Sequence, residues 1–404
     1  MKITVIGQGY VGLSVAIEAA KANHKVIGFD TDLEVIQNLK NGLTHVPGIE
    51  ARDLVELTKS GSYFPTNENK FLKDSEVIII AVPTPLNLGR KPELLYLELA
   101  AKMIGECAND GTLVVNESTS YPGTLRNFIK PIIEKNSTKH FLYAAAPERV
   151  DPGNKNWNLK NTPRVIAGMT DEAAIRAISC YSSFCDSIYQ AQSVEVAEAS
   201  KLFENTYRQV NIALVNELSE IANSLGFSTH EAIEAASTKP FGYTAFYPSI
   251  GVGGHCIPVD PSYLSYAAEL SGVKTKFIDL ANKTNLSAHI RVAQRIKDYM
   301  AGELKDIKIQ LAGITYKPNV SDLRESPALL LINELETLGA TVSWHDPLVT
   351  SINNIKSEPL RTDIDLGLIV TPHENIDFTN WKKSNLKVLD LSASSKTFGW
   401  PKFL

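Results

Sequence analysis

Cysteine is scarce in this chain, and its scarcity removes two function classes at once. The four cysteines in 404 residues, Cys107, Cys180, Cys185 and Cys256, are too few and too irregularly spaced for a disulfide framework. None forms a CxxC metal pair with a second cluster. Surplus positive charge is missing as well. Forty Lys and Arg against 45 Asp and Glu leave a formal charge of -5 and a pI near 6.0. That balance offers nothing to a phosphate backbone or an anionic membrane, and it argues against nucleic acid as a partner while leaving room for a local basic pocket around a diphosphate. No apolar run reaches the length needed to cross a bilayer, and no apolar signal core follows a basic start, so a cytoplasmic protein without a membrane partner is expected. Low-complexity tracts and short-period repeats are absent too.

What is present is the composition of an ordinary globular protein, 44% hydrophobic and 21% charged, in a chain long enough for two or three domains with separate cores. From Lys2 to about Pro147, short β-rich runs (Ile3–Ile6, Lys25–Phe29, Val77–Val82, Leu113–Asn116, Phe141–Ala146) alternate with helical patterns, the signature of a parallel sheet covered on both faces. Between Val194 and about Ala236 the chain is nearly free of Gly and Pro. There Val196, Leu202, Val210, Leu214, Leu218 and Ile221 recur at helical spacing, which predicts one long helix or two, its apolar positions serving either a dimer or an internal core. A second helical pattern covers Asn282 to Met300. Strand patterns then return at Ile307–Ala312, Thr341–Trp344, Leu366–Val370 and Val388–Leu391. Both sheet regions open alike, Lys-Ile-Thr-Val-Ile-Gly7 and Lys-Ile-Gln-Leu-Ala-Gly313. The expected fold is α/β, with two Rossmann-like, doubly wound parallel-sheet domains joined by a central helical region: 1–190, 191–300 and 301–404.

Two motifs carry chemistry. Gly7-Gln8-Gly9-Tyr10-Val11-Gly12 follows the first strand directly and opens a helix, where glycines permit a tight turn and the approach of a pyrophosphate to a positively polarised helix end. Asp30 closes the second strand at the spacing of a carboxylate that binds ribose hydroxyls and repels a 2′-phosphate, so NAD is preferred to NADP. The plainer account is a tight βα turn without a ligand. In Gly251-Val252-Gly253-Gly254-His255-Cys256-Ile257-Pro258-Val259-Asp260-Pro261, glycines crowd one side of a cysteine, and Asp260-Pro261 reads as the cap and first turn of a helix. A thiol near a helix N-terminus can shift toward the nucleophilic thiolate, although a cysteine buried in a glycine turn is the commoner case. His255 is next to Cys256 but adjacent side chains in an extended turn point apart, so it is not taken as a base.

These pieces, with Val82-Pro83-Thr84-Pro85, Glu117-Ser118-Thr119, Ala146-Pro147-Glu148-Arg149, Glu198-Ala199-Ser200-Lys201, Asn205, Asn216-Glu217 and Tyr316-Lys317-Pro318-Asn319-Val320-Ser321-Asp322-Leu323-Arg324-Glu325-Ser326, occur in an order that resembles the UDP-glucose/GDP-mannose dehydrogenase family over essentially the whole chain. The resemblance implies a four-electron oxidation of a nucleotide sugar's C6 alcohol by two NAD⁺, through an aldehyde captured by Cys256 and a thioester that is hydrolysed. It implies oxyanion stabilisation by Lys201 and Asn205, a catalytic water held by Asp260 and a hydrolytic role for Glu148. One helical turn separates Lys201 from Asn205, which is compatible with joint donation to one oxygen, yet Glu198/Lys201 and Glu204/Arg208 could also be surface helix pairs.

By the same resemblance Tyr10, Val11, Thr84 and Thr119 lie at the cofactor. Glu148, Lys201, Asn205, Phe246, Tyr247, Gly253, Lys317 and Arg324 lie at the substrate, with an interdomain salt bridge as the plainer role of the last two. No metal is implied, and a homodimer is. The stretches Thr238–Pro248 and Ala146–Asn154 look more like the UDP-N-acetylhexosamine branch, UDP-N-acetylglucosamine above all, than the UDP-glucose branch. Two departures stand out: Ser249-Ile250 where a Gly-Pro pair is common, and Asp390-Leu391-Ser392-Ala393 in the last strand, where no nucleotide contact is therefore assigned. Two other readings of these residues are a two-electron dehydrogenase of the hydroxyacid type, which would not need Cys256, and a non-catalytic NAD-binding assembly protein.

Overall fold

The computed structural model describes every residue except Pro47, Pro152, Gly153 and Lys155, so the Pro152-Gly153 part of the Ala146–Asn154 segment lies outside the described residues. The chain divides into two compact units, Met1–Glu204 with Ser262–Val273, and Asn205–Pro261 with Lys274–Leu404.

The first unit is built on an eight-stranded sheet: β1 (Lys2–Ile6), β2 (Lys25–Phe29), β3 (Tyr63–Thr66), β4 (Val77–Ile80), β5 (Leu113–Asn116), β6 (Leu142–Ala145), β7 (Arg164–Gly168) and β8 (Ile188–Gln190). Their spatial order is β3-β2-β1-β4-β5-β6-β7-β8, parallel throughout except where β7 runs antiparallel to β6. The order reverses beside β1, the arrangement that opens a crevice at the carboxyl ends of the strands. Alternation along each strand feeds two cores. Val77 and Ile79 of β4 join one cluster with Ile3, Val5 and Leu13, whereas Ile78 and Ile80 join another with Ile6, Leu97 and Val114. Each such fully buried aliphatic side chain is worth roughly 1.5–3 kcal/mol.

Two of these strands carry weak sequence signals. Pro65 interrupts β3, which is tolerated because β3 is an edge strand, while β8 has only three residues, two of them exposed.

The second unit holds a four-stranded parallel sheet of β9 (Lys308–Ala312), β10 (Thr341–His345), β13 (Leu366–Ile369) and β14 (Lys387–Asp390), ordered β10-β9-β13-β14, with a small hairpin of β11 (Ser351–Ile352) and β12 (Ile355–Lys356). Trp381 is buried over β13, close enough to Gly367 that a Cβ there would lie 2.9 Å from its ring. The turns after β1 and β9 repeat the same backbone chemistry. Gly7 N donates to Phe29 O and Gly313 N to His345 O, both at 2.8 Å.

The 32-residue helix Val194–Leu225 is continuous, about 48 Å long at 1.5 Å per residue, and stops at Gly226, whose φ of +80° suits glycine. A shorter helix, Thr229–Ser237, follows, with the Ser228 side chain accepting the Glu231 amide. The apolar pattern from Asn282 to Met300 proves to belong to two helices, Lys276–Leu286 and Ala288–Tyr299, divided at Ser287.

Candidate active site

In the first unit the glycines of the β1 turn do three different jobs. Gly7 has φ +93°, and a Cβ there would strike the backbone of Ala81; a Cβ on Gly12 would strike the Gly7 carbonyl. Around Gly9, by contrast, nothing lies within 4 Å of where a Cβ would stand, so the space that glycine leaves is open to a ligand. The helix Tyr10–Lys21 starts there without a side-chain cap or an acidic residue in its first turn, leaving its amide end polarised for an anion. Tyr10 and Val11, in that first turn, are half-buried.

Asp30, half-exposed at the end of β2, accepts the Gln8 amide at 2.7 Å and the Asp32 amide at 3.0 Å. Gln8 is itself fixed by Tyr63 Oη, which donates to its Oε1 at 2.7 Å. A pyrophosphate cradle beside a ribose-level carboxylate fits a dinucleotide, and these residues would hold NAD.

At the ends of β4 and β5 two threonines are tied down. Thr84 is buried, its carbonyl accepting from Tyr263 Oη at 3.0 Å, and buried Thr119 accepts from Lys201 Nζ at 2.5 Å. Lys201 and Glu198 line a small cavity with Thr119 and Pro147. Glu198 does not behave as a surface pair: it is buried, and its carboxylate takes the amides of Gly123 at 2.6 Å and Leu125 at 2.9 Å. Burial pushes its carboxyl up to about 7, against those two amides. Glu204 pairs with Arg149. Glu148, also buried, accepts the amide of Val150.

Beneath this array is a group that sequence spacing does not reveal. Glu117 is fully buried, accepts from Tyr181 Oη and faces Arg164 at 3.6 Å, while Arg164 Nη1 donates to the carbonyl of Ala146. Burial drives the Glu117 carboxyl up and the Arg164 charge draws it back. These residues lie far apart in the chain, so the signal was limited to a charged residue, Glu117, inside an otherwise apolar strand end.

In the second unit the Cys256 carbonyl accepts the amides of Val259 at 3.1 Å and Asp260 at 2.8 Å, so the half-buried cysteine sits one turn ahead of the helix Asp260–Leu270. Asp260 is the first residue of that helix, which therefore begins one position earlier than a capping role for Asp260 requires. It is fully buried and accepts from Asn205 Nδ2 at 2.7 Å.

The glycines ahead of the cysteine allow a close approach of protein. A Cβ on Gly253 would lie 2.7 Å from Tyr316 Cβ and 2.8 Å from the Glu325 carbonyl, and Gly254, at φ +86°, donates to the Arg324 carbonyl at 3.0 Å. Arg324 forms a two-pronged pair with Asp322 of its own loop, 2.6 Å at the shortest, and Lys317 is half-buried on the same loop with its carbonyl accepting from Thr315 Oγ1. Phe246 packs edge-on against Tyr207, and Tyr247 stacks on buried His230, a partner absent from the sequence motifs.

Both departures have a local reason. Ser249 N donates to Asn216 Oδ1 at 2.8 Å while Ile250 enters the second unit's core, and Ser392 binds Asp390, which pairs with Lys402 at 3.0 Å. No group of His, Cys, Asp and Glu among the described residues could hold a metal ion, and none of their helices is long and apolar enough to cross a membrane.

Three segments match models of one family in chain order. Residues 1–190 match the NAD binding domain of the UDP-glucose/GDP-mannose dehydrogenase family, 195–287 its central domain and 310–392 its UDP binding domain. A UDP-N-acetyl-D-mannosamine dehydrogenase of Pyrococcus horikoshii is 36% identical over 402 residues, 95% of this chain and 92% of the relative. A UDP-N-acetyl-D-glucosamine 6-dehydrogenase of Pseudomonas aeruginosa is 34% identical over 360 residues, 87% of this chain and 84% of the relative. The solved structure of the UDP-D-ManNAc dehydrogenase from Pyrococcus horikoshii superposes with a TM-score of 0.87 at 33% identity, covering 100% of this chain and 97% of that one. The open dinucleotide turn thus falls within the family's NAD-binding segment and the Cys256–Asp260–Asn205 array within its central one, and the chain belongs to the UDP-glucose/GDP-mannose dehydrogenase family as an NAD-dependent UDP-sugar dehydrogenase.

Proposed function

We propose that this enzyme oxidises the C6 primary alcohol of a UDP-N-acetylhexosamine, UDP-N-acetylglucosamine, to the uronic acid in a four-electron reaction carried on Cys256. The observation that carries the reading is the turn at Cys256, which sets the cysteine just ahead of a helix start and next to a buried Asp260 that holds the Asn205 amide. Bound NAD⁺, held by the turn at Gly7, Gly9, Tyr10, Val11 and Gly12 and by Asp30 with Thr84 and Thr119 nearby, supplies the acceptor for each electron pair.

Lys201, steadied by Thr119, presents its ammonium to the sugar oxygen and stabilises the charge that develops as the alcohol loses its proton. Cys256 Sγ then adds to the C6 aldehyde: a C–S bond forms, the thiol gives up its proton, and the tetrahedral oxygen is met by Lys201 and the Asn205 amide. Removal of the second electron pair leaves a thioester. Asp260 holds a water, Glu148 takes its proton as the oxygen adds to the acyl carbon, and the C–S bond breaks to restore the thiol. One alcohol, one water and two oxidised cofactors give one carboxylate, two reduced cofactors and three protons. Phe246, Tyr247, Gly253, Lys317 and Arg324 bind the nucleotide sugar, Arg324 through a planar guanidinium suited to phosphate oxygens.

A second reading of the sugar, UDP-N-acetylmannosamine, is favoured by the 36% identity to an enzyme named for it. A homodimer and a cytoplasmic setting belong to the same proposal. The dimer is supported by Val196, Phe203, Tyr207, Leu214, Leu218, Ile221 and Leu225, all exposed on the long helix at spacings of three, four and seven.

The test is to incubate the enzyme with NAD⁺ and each of UDP-glucose, UDP-N-acetylglucosamine, UDP-N-acetylgalactosamine and UDP-N-acetylmannosamine, counting NADH per sugar consumed. Two NADH and an acid from UDP-N-acetylglucosamine are expected. One NADH and an aldehyde would end the four-electron mechanism, and full acid formation by Cys256→Ala would remove the nucleophile.

A further inference from the structure

The two glycine turns place a carboxylate at the same point and use it differently. Asp346 follows β10 as Asp30 follows β2, and its Oδ2 accepts the Ile314 amide at 2.8 Å as Asp30 Oδ2 accepts the Gln8 amide. Its Oδ1 takes the Leu348 amide at 2.9 Å, two residues on, as Asp30 Oδ1 takes that of Asp32. Asp30 is half-exposed, but Asp346 is buried beneath His373, whose Nε2 lies 2.9 Å from Asp346 Oδ2. The imidazole's other nitrogen, Nδ1, accepts the amide of Asn319 at 2.9 Å, which leaves Nε2 as the protonated donor to the carboxylate. Burial would raise the Asp346 carboxyl, yet the bond from His373 and the two amides hold it below the ordinary value, so the carboxylate is a firm anchor.

What His373 anchors is the loop bearing Lys317 and Arg324. Asn319, exposed and at φ +63°, is held by its amide to His373 and by its side-chain oxygen, which accepts the Glu374 amide at 2.9 Å. Thr371 Oγ1 donates to the Thr315 carbonyl at 2.7 Å and Thr315 Oγ1 to that of Lys317 at 3.0 Å, so the residues on both sides of Lys317 are pinned from the end of β13. From there the loop turns through Tyr316 N, which donates to the Asp322 carbonyl, to the Asp322–Arg324 pair.

We propose that His373, clamped by Asp346, is a positioning residue that sets the Lys317–Arg324 loop to receive the uridine diphosphate of the substrate. A carboxylate placed where a dinucleotide turn keeps one for ribose here holds a histidine, and the histidine holds the loop. This rests on the proposed substrate contacts of Lys317 and Arg324.

Calorimetric titration of the intact enzyme with UDP tests it apart from turnover. His373→Phe, which removes the imidazole's contacts with Asp346, Asn319 and Thr315, is expected to weaken UDP about tenfold or more and to raise KM for the sugar nucleotide in step, with kcat and NAD⁺ affinity near wild type. His373→Asn, which keeps an acceptor and a donor, should recover part of the loss. Asn319→Pro, on an exposed loop where misfolding is not expected, removes the amide that His373 accepts and forbids the positive φ, and should reproduce the weakened UDP binding. Unchanged UDP affinity in His373→Phe and Asn319→Pro, with wild type binding UDP, would overturn the positioning role alone. Wild type that binds no UDP would overturn it together with the reading beneath it. A common loss of UDP binding, NAD⁺ binding and thermal stability in both variants would make the pair a stability element and equally overturn the proposal.

Discussion

Glu198 shows how one side chain can look like surface decoration in sequence and be something else in the fold. Its spacing to Lys201 suits an exposed helix pair, but both residues are buried, and the glutamate instead caps the start of the helical segment at Leu125. Burial raises its carboxyl to about 7. A carboxyl whose folded value is raised holds its proton more tightly in the native state, so its contribution is complete below the ordinary glutamate value and is lost as pH rises through about 7. The loss is on the order of 3 kcal/mol for a group this buried. Thermal midpoints of wild type should therefore fall between about pH 5 and pH 8, and Glu198→Gln should show a visibly flatter profile. Parallel profiles would contradict the assignment. Asp30, Cys256 and Asp260 were legible because each belongs to a short local pattern of glycines, strand end or helix start. The pairings of Glu117, Arg164, Tyr181 and His373 were not, because each is made with a partner tens of residues away.

Among elements, the glycine turns separate packing from binding. Gly254 has φ +86° and a Cβ there would lie 2.8 Å from the Tyr316 ring, whereas Gly9 has φ −75° and open space. Gly254→Ala should cost roughly 1–3 kcal/mol in urea unfolding of the second unit. Gly9→Ala should change stability by less than about 0.5 kcal/mol yet weaken NAD⁺ sharply. The opposite pattern, a destabilising Gly9→Ala that still binds NAD⁺, would refute the cradle. Strands with continuous aliphatic runs, such as Val77–Ile80, were plain in the sequence because both faces are buried. Tyr63–Thr66 was hidden by its edge proline, and the divide at Ser287 was hidden because apolar spacing carries across it from one helix to the next.

For the whole molecule, the exposed stripe on the long helix predicts association. Sedimentation should give twice the chain mass, and Leu214→Asp with Leu218→Asp should shift it to the monomer; a wild-type monomer at micromolar concentration would exclude the dimer. The apolar spacing of that helix was visible in the sequence, but which positions faced outward was not, since Leu202 is buried and Leu214 and Leu218 are exposed. The turn at Gly313, with His373 seated on its carboxylate, has a further consequence for timing. If each turnover consumes two cofactors and only the turn at Gly7 keeps its carboxylate open, the cofactors must pass through one berth in succession. The half-oxidised sugar then has to outlast an exchange of cofactor, which makes the dwell time of the carbon–sulfur bond, rather than the speed of either oxidation, the quantity that keeps a reactive aldehyde from escaping.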